Sequence, residues 1–469
     1  MSNRQVLSTT GKVVEEAAIQ KLAASVRGKI LRPGDEGYES ARKVVYWNPM
    51  TDKHPGMIVR CAGVADVIQA VDFARSHDLL VAVRGGGHSV SAMSVCDGGM
   101  VIDLSGMRKV KIDPEKRIAR AEAGLTSGEL GKATHTFGLA AVLGECPSVG
   151  IAGLTLGGGL GWLTGKYGAS CDNLLSVEVV TADGHVLTAS ARENEDLFWG
   201  VRGGGGNFGV VTALEYRLYP VDRVLAGILE HPLSKASEVL RFFHEYMNVA
   251  PDELTALAYM PIADGAALGV VVCYCGDLQV GEKVLEPLRS FGRPVADTIQ
   301  PRPYVEMQTL PLYVYVEAQI RAGISAYSKC GYLEELSDEV IDRIVTNVAQ
   351  APLHDCIVGL DHHMHGAVCR VGQSETAFSL REVGGYNFWI ASAWQESAEA
   401  DSAIGWVDRF WEALQPFSGG RIYVNYLSDE GEERVKAAYG TNYARLVALK
   451  NKYDPTNFFR LNQNIKPRV

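Results

Sequence analysis

Residues 144–168 hold nine glycines in 25 positions, and residues 203–206 are four glycines in succession. The whole chain carries 50 glycines in 469 residues, above the average share of about 7%. The excess is concentrated in the first 220 residues. Glycine has no Cβ, so such stretches let backbone come close to a large flat or phosphorylated group. An ordinary turn needs far fewer. Arg84-Gly85-Gly86-Gly87-His88-Ser89 directly follows an apolar run. Successive glycines there expose backbone N–H groups in a concavity that suits a pyrophosphate. Taken alone, the same hexapeptide also reads as a tight turn, with Arg84 a surface charge and His88 a capping or core residue.

Around these clusters the chain alternates short strands and helices. Residues 57–60, 80–83 and 100–104 read as strands, and 64–77 as a helix with Val67, Ala70, Val71 and Ala74 on one face. Gly204-x-Gly206-x-x-Gly209 matches the dinucleotide fingerprint, but the next seven residues, Val210 to Tyr216, alternate like a strand. The fingerprint requires a helix there, which excludes a Rossmann site. After Pro220 the texture changes. A helix is expected over 234–249, with Leu240, Phe243 and Tyr246 on one face, and strands over 255–260, 269–275, 356–364 and 386–394. That pattern predicts an α+β unit, an antiparallel sheet flanked by helices. Near Gly419 the glycine-and-tyrosine texture of the first part resumes. The expected organisation is a first domain over 1–220, a second over 221–418, and a return of 419–469 to the first.

The formal net charge is −10, from 45 Lys and Arg against 55 Asp and Glu, which argues against nucleic acid as a partner. The longest apolar runs, such as 79–83, fall far short of a membrane span. The N-terminal segment has no apolar core of a secretory signal. The nine cysteines form no CxxC pair, which speaks against structural zinc and a thioredoxin-type motif. A reducing cytoplasmic location is the expectation. Asp361-His362-His363-Met364-His365 would, on a strand, put Asp361, His363 and His365 on one face, a set able to hold zinc. The apolar run before it and the lack of another ligand motif favour substrate contact or plain surface polarity, so no metal is expected. Arg381, Glu382 and Gln395 are further polar candidates that read equally well as a solvated face.

Five segments together resemble the berberine bridge enzyme-like oxidases, within the vanillyl-alcohol oxidase (PCMH) type of FAD-binding fold. They are RGGGHS at 84–89, CPSVGIAGLTLGGGLGWLTGKYG at 146–168, DLFWGVRGGGGNFGVV at 196–211, YVNY at 423–426 and YDPTNFFRLNQNI at 453–465. The resemblance covers nearly the whole chain. It implies a two-domain fold with FAD laid across the first domain and an antiparallel-sheet substrate domain. The implied FAD contacts are Arg84, Gly85, Gly86, Gly87, Ser89, Val149, Gly150, Gly153, Gly157, Gly158, Gly161, Asp172, Asn173, Val210, Asn425 and Asn462. In such enzymes the histidine of the GGH motif bonds to the flavin 8α carbon, a position that falls on His88. A second bond from a cysteine to flavin C6 falls on Cys146. A neutral imidazole and a thiolate are suitable nucleophiles for these links, so bicovalent FAD is expected. Val149 stands where a small side chain goes with oxygen access to the reduced flavin.

The resemblance also assigns the chemistry. In sugar and cannabinoid oxidases of this family the second tyrosine of the YxNY motif is the base, which implies Tyr426 here, with Tyr423 beside it. On a strand, positions 423 and 425 would share one face and 424 and 426 the other. A free tyrosine titrates near ~10, so the site must favour the phenolate. The plant alkaloid enzymes carry a glutamate base at the position matched by Asn387, and asparagine cannot act as one. Asp361, His363, His365 and Asn387 are then candidate substrate contacts. The implied activity is oxidation of a hydroxyl group of a sugar, oligosaccharide or secondary metabolite to a carbonyl or lactone, with O2 reduced to H2O2. The alternatives are amine oxidation like that of the 6-hydroxynicotine oxidases, a dehydrogenase using another acceptor, or a flavin-holding protein without turnover. The expected partners are a small-molecule substrate and O2, with no nucleic acid or membrane, and the chain is expected as a monomer or homodimer.

Overall fold

The computed structural model describes residues 5–468 except 47, 49, 263–264, 311–323, 353–354 and 383. Three small sheets come from the first 220 residues. In the first, Met57–Arg60, Met100–Asp103 and Val81–Arg84 run parallel, with Lys29–Leu31 antiparallel at the edge. The helix Val64–Ser76 covers it with Val67, Ala70, Val71 and Ala74 buried, the face its spacing predicts. The second sheet is antiparallel and five-stranded, and its centre is Val210–Arg217. This strand follows the fingerprint-like glycines, so no helix stands where a Rossmann site needs one. A short pairing of Leu139–Ala140 with Tyr219–Pro220 makes the third.

An eight-stranded antiparallel sheet forms the second lobe. Its path runs through Arg223–Pro232, Ala267–Tyr274, Leu254–Ile262, Cys356–His362, Tyr386–Trp394 and Ser325–Leu333. Four helices lie on one face, Ala236–Met247, Leu278–Ser290, Asp338–Ala349 and Ala400–Leu414. Each has buried residues at helical spacing, such as Val239, Leu240, Phe243 and Met247. Asp277 and Ser337 accept first-turn N–H groups and set two of the helix starts. The other face of the sheet looks toward the first lobe. There Trp162 and Leu163 of the glycine-rich segment pack with Ala226, Leu257, Val271 and Cys273.

The C-terminal segment packs on the first lobe, with Ile422, Val424, Leu427, Phe459 and Ile465 in that lobe's core. A fully buried ion pair fastens it. Lys450 Nζ lies 2.7 Å from Asp454 Oδ2 and also donates to the Asn207 and Phe459 carbonyls. Asn207 belongs to the four-glycine loop, so the end of the chain is tied to that loop. Among the described residues no helix is long and apolar enough to cross a membrane.

Candidate active site

A cavity of about 500 Å³ lies between the first-lobe glycine loops and the bare face of the second-lobe sheet. Its first wall is backbone. A Cβ added to Gly86 would fall 2.3 Å from the Gly150 nitrogen, and one added to Gly150 would fall 2.3 Å from the Gly86 nitrogen. The two loops therefore touch main chain to main chain, and any larger residue would force them apart. Gly153 and Gly206 have open space where a side chain would stand. Gly85, Gly87, Ser89, Val149, Gly157 and Asn462 also line this wall. Asn462 Nδ2 donates to the Gly206 carbonyl at 3.2 Å and holds the tail against the loop.

Two nucleophilic side chains converge on this wall. His88 Nε2 is 2.9 Å and Cys146 Sγ 3.3 Å from the same hydroxyl, Ser148 Oγ. Burial lowers the His88 pKa to about 4, so its imidazole is neutral and keeps a lone pair for bonding.

Several residues expected at the cofactor sit elsewhere, for identifiable reasons. Arg84 turns away from the cavity and donates to the carbonyls of Ala41 and Lys43, which the end of the helix Tyr38–Arg42 leaves unsatisfied. Asp172 makes a two-pronged pair with Arg381, at 2.7 and 2.6 Å. Arg381 is buried, not on a solvated face. Asn173 donates to the Tyr167 and Ala169 carbonyls. A Cβ on Gly158 would meet the Phe378 ring at 2.7 Å, and one on Gly161 the Leu143 carbonyl oxygen at 2.1 Å. Those two glycines serve close packing. Val210 is buried, and by strand alternation its neighbour Val211 reaches the cavity instead.

YVNY is not a strand. Tyr426 N–H donates to the Tyr423 carbonyl at 2.8 Å, and Val424–Tyr426 is a 3₁₀ turn. In that turn residues i and i+3 eclipse, so Tyr423 and Tyr426 stand together, ring centres 5.1 Å apart. Tyr423 Oη accepts the Gly159 N–H at 2.9 Å and the Asn425 amide at 2.8 Å. Asn425 also donates to the Leu154 carbonyl at 2.9 Å. Tyr423 and Asn425 thus rivet the turn to the glycine-rich segment. The Tyr426 hydroxyl is turned the other way and donates to Asp361 Oδ2 at 3.1 Å.

Asp361 is buried at the end of the strand Cys356–His362. Its Oδ1 accepts from Trp389 Nε1 at 3.1 Å. Burial first, then the Glu145 carboxylate, raise its pKa to about 7, against opposing pulls from His363 and the two hydrogen bonds. Burial, then Asp361, push the Tyr426 phenol well above its ordinary range. Nothing here favours a standing phenolate; the neighbouring carboxylate is instead placed to take the phenolic proton.

His363 and His365 lie beyond the strand end, so the expected one-face trio does not form. His363 Nε2 is 2.7 Å from Glu145 Oε1 across the two lobes. Burial opposes its imidazolium, yet Glu145 outweighs it and raises the pKa. His365 stacks on His362, ring centres 5.0 Å apart, outside the cavity wall. Among the described residues no group of three or more His, Cys, Asp or Glu is arranged to hold a metal ion. Asn387 is Asp361's register partner but is fully buried and does not line the cavity, whereas Trp389, two residues on, does. Glu145 and Trp389 escaped the sequence reading. The available signals were a lone carboxylate inside the glycine-rich segment and an aromatic one alternation step from Asn387.

A glycine-lined cradle with open Cβ positions and two nucleophiles at one hydroxyl fits FAD. The FAD binding domain family matches residues 55–190, and the berberine and berberine-like family matches 422–466. The chain is 31% identical to an FAD-linked oxidoreductase of Dictyostelium discoideum, over 96% of this chain and 97% of that one. It is 32% identical to (R)-6-hydroxynicotine oxidase of Paenarthrobacter nicotinovorans, over 94% and 97%. The crystal structure of 6-hydroxy-D-nicotine oxidase from Arthrobacter nicotinovorans superposes with a TM-score of 0.84 at 30% identity, covering 95% of this chain and 99% of that one. The carbohydrate oxidase of Microdochium nivale, in complex with a substrate analogue, superposes at 0.84 with 25% identity, over 96% and 100%. A cradle built for FAD, a tail carrying YxNY and full-length likeness to these oxidoreductases lead to one conclusion: the chain belongs to the berberine bridge enzyme-like FAD-linked oxidoreductases, with their two-domain vanillyl-alcohol oxidase-type fold.

Proposed function

We propose that this protein oxidises a hydroxyl-bearing carbon to a carbonyl and uses O2 as electron acceptor, producing H2O2. The observation that carries this reading is the Tyr426 hydroxyl donating to Asp361 Oδ2 at 3.1 Å on the cavity wall. A substrate hydroxyl bonded to Tyr426 Oη loses its proton to that oxygen as the C–H bond breaks. Tyr426 passes its own proton to Asp361, so no free phenolate has to exist in the resting site. FAD, when bound, would supply the hydride acceptor, with O2 as the final oxidant. His88 and Cys146, both on the cavity wall, would hold it covalently, and the short side chain of Val149 on the same wall would leave O2 room to approach. No disulfide joins any of the nine cysteines, which supports a reducing cytoplasmic setting.

Tyr426→Phe tests the chemistry. Anaerobic bleaching of the flavin by an alcohol substrate should slow by about 10²–10⁴-fold; an unchanged rate would refute the relay. Intact mass tests the attachment. Denatured wild type should carry one FAD, and so should His88→Ala through Cys146; a mass equal to the bare chain would rule out both links.

Amine oxidation is the second reading, favoured by two carboxylates, Glu145 and Asp361, on the wall of one cavity. A cationic amine would be drawn to them and would leave its ammonium proton with a carboxylate, reacting as the neutral amine to give an iminium, so no hydroxyl proton would need removal. Tyr426→Phe would then be mild, which separates the two readings.

A further inference from the structure

The sheet side of the cavity has a surface the mechanism does not use. Register places Ala326, Ser328 and Cys330 opposite Ala393, Ala391 and Trp389, and the last two of these opposite Ile357 and Gly359 on the next strand. Directly paired residues share a face, so one flat patch of small side chains surrounds a single indole. Trp389 lies down on the patch. A Cβ on Gly359 would fall 2.1 Å from its Cε2 and 2.2 Å from its Cζ2, so the ring occupies the space over the glycine backbone. The Nε1–H bond to Asp361 at 3.1 Å fixes the ring's rotation. The polar hydrogens here are already used. Trp389 gives its N–H to Asp361, and Ser328 turns its hydroxyl back to the Ile390 carbonyl at 3.0 Å. Among the described residues of this wall, charged groups stand only at the ends, Asp361 with His363 at one and Asp355 at the other.

We propose that this face is a stacking plate for a planar aromatic or polycyclic ring system, which makes the substrate an aryl or polycyclic carbinol and not a sugar. The proposal deepens the hydroxyl-oxidase reading and rests on it for the reacting group. Ile357 to Asp361 is four residues, about 13 Å of strand at ~3.3 Å per residue, enough for two or three fused rings with the carbinol at Tyr426. A planar ring gains stacking on the indole and loses no hydrogen bond to water on its faces. A pyranose would bring several hydroxyls onto small apolar side chains and strand them without partners, a strong penalty.

The test is equilibrium binding to the holoenzyme under anaerobic conditions, read by tryptophan fluorescence and by perturbation of the flavin spectrum. The probes are 2-naphthalenemethanol and cellobiose. The naphthyl probe should bind, and cellobiose should leave both signals unchanged. Trp389→Ala should weaken the naphthyl probe by about tenfold or more, while Trp389→Phe, which keeps a flat ring, retains most of the affinity. Ala391→Leu provides a second route should Trp389→Ala fold poorly, because its bulk lifts the ligand off the plate and should also weaken binding. A naphthyl probe that fails to bind, or binds Trp389→Ala and Ala391→Leu as well as wild type, overturns the proposal. Cellobiose that binds and bleaches the flavin overturns the plate but keeps hydroxyl oxidation. A naphthyl probe that binds through Trp389 yet is not oxidised keeps the plate and returns the fault to the reaction assigned.

Discussion

One wall of the cavity is backbone and the other is side chain. On the first, Gly86 and Gly150 meet main chain to main chain, and neither position tolerates a methyl group without moving a loop. On the second, Trp389, Asp361 and a field of alanines hang from strands held by the sheet's own hydrogen-bonded ladder. A wall of the first kind holds one ligand shape and changes all at once. A wall of the second kind can exchange a side chain and keep its frame. The first suits a shared cofactor, and the second suits a substrate that differs between relatives.

The largest effect is expected at the Asp361 end of the sheet wall. Asp361→Asn should slow anaerobic flavin reduction by about 10²–10⁴-fold with the far-ultraviolet spectrum unchanged. A rate within a few-fold of wild type would remove Asp361 from the relay. On the glycine side, Lys450→Met strips the partner from a fully buried Asp454. Leaving such a charge unpaired costs about 3–5 kcal/mol, visible as a lower urea midpoint; an unmoved midpoint would show that the tail is held by other means. A smaller effect is expected from Gly150→Ala, about 1–3 kcal/mol through overpacking, together with weaker FAD retention. Ala393→Ser on the sheet wall should stay within about 0.5 kcal/mol. Equal losses at those two positions would erase the distinction between the walls.

The smallest test is of pH. Burial and Glu145 raise the Asp361 pKa to about 7. Below that value the carboxyl already holds a proton and cannot take one from Tyr426. The limiting rate of flavin reduction should therefore rise about tenfold per unit up to neutrality and level off above it. His363→Gln removes the cation that favours the carboxylate and leaves Glu145 in place, so the inflection should move to higher pH. A shift to lower pH would mean that His363 does not act on Asp361 through its charge.

Local features were readable from the residues alone. Glycine density marked the cradle because a missing Cβ matters wherever the backbone must approach something closely. Alternation after Gly209 ruled out a dinucleotide helix, and the strand Val210–Arg217 stands there. The same local logic failed at YVNY. Four residues cannot show whether their hydrogen bonds run to another strand or three residues back, and here Tyr426 bonds back to Tyr423. Arg84 and Asp172 looked like ligand contacts because charge beside glycine suggests a bound anion. Their partners, the Ala41 carbonyl and Arg381, are distant in sequence.

Which distant side chains meet is settled by the packed fold. Tyr426 finds Asp361 across 65 positions, and His363 finds Glu145 across 218. Both meetings depend on the register of a long antiparallel sheet, where a slip of one residue would turn Asp361 and Trp389 to the opposite face. Register is set by the packing of helices on one face of that sheet and of the first lobe on the other, interactions spread over the whole chain. No short window of sequence contains them, which is why the cofactor wall was legible in the residues and the meeting of Tyr426 with Asp361 was not.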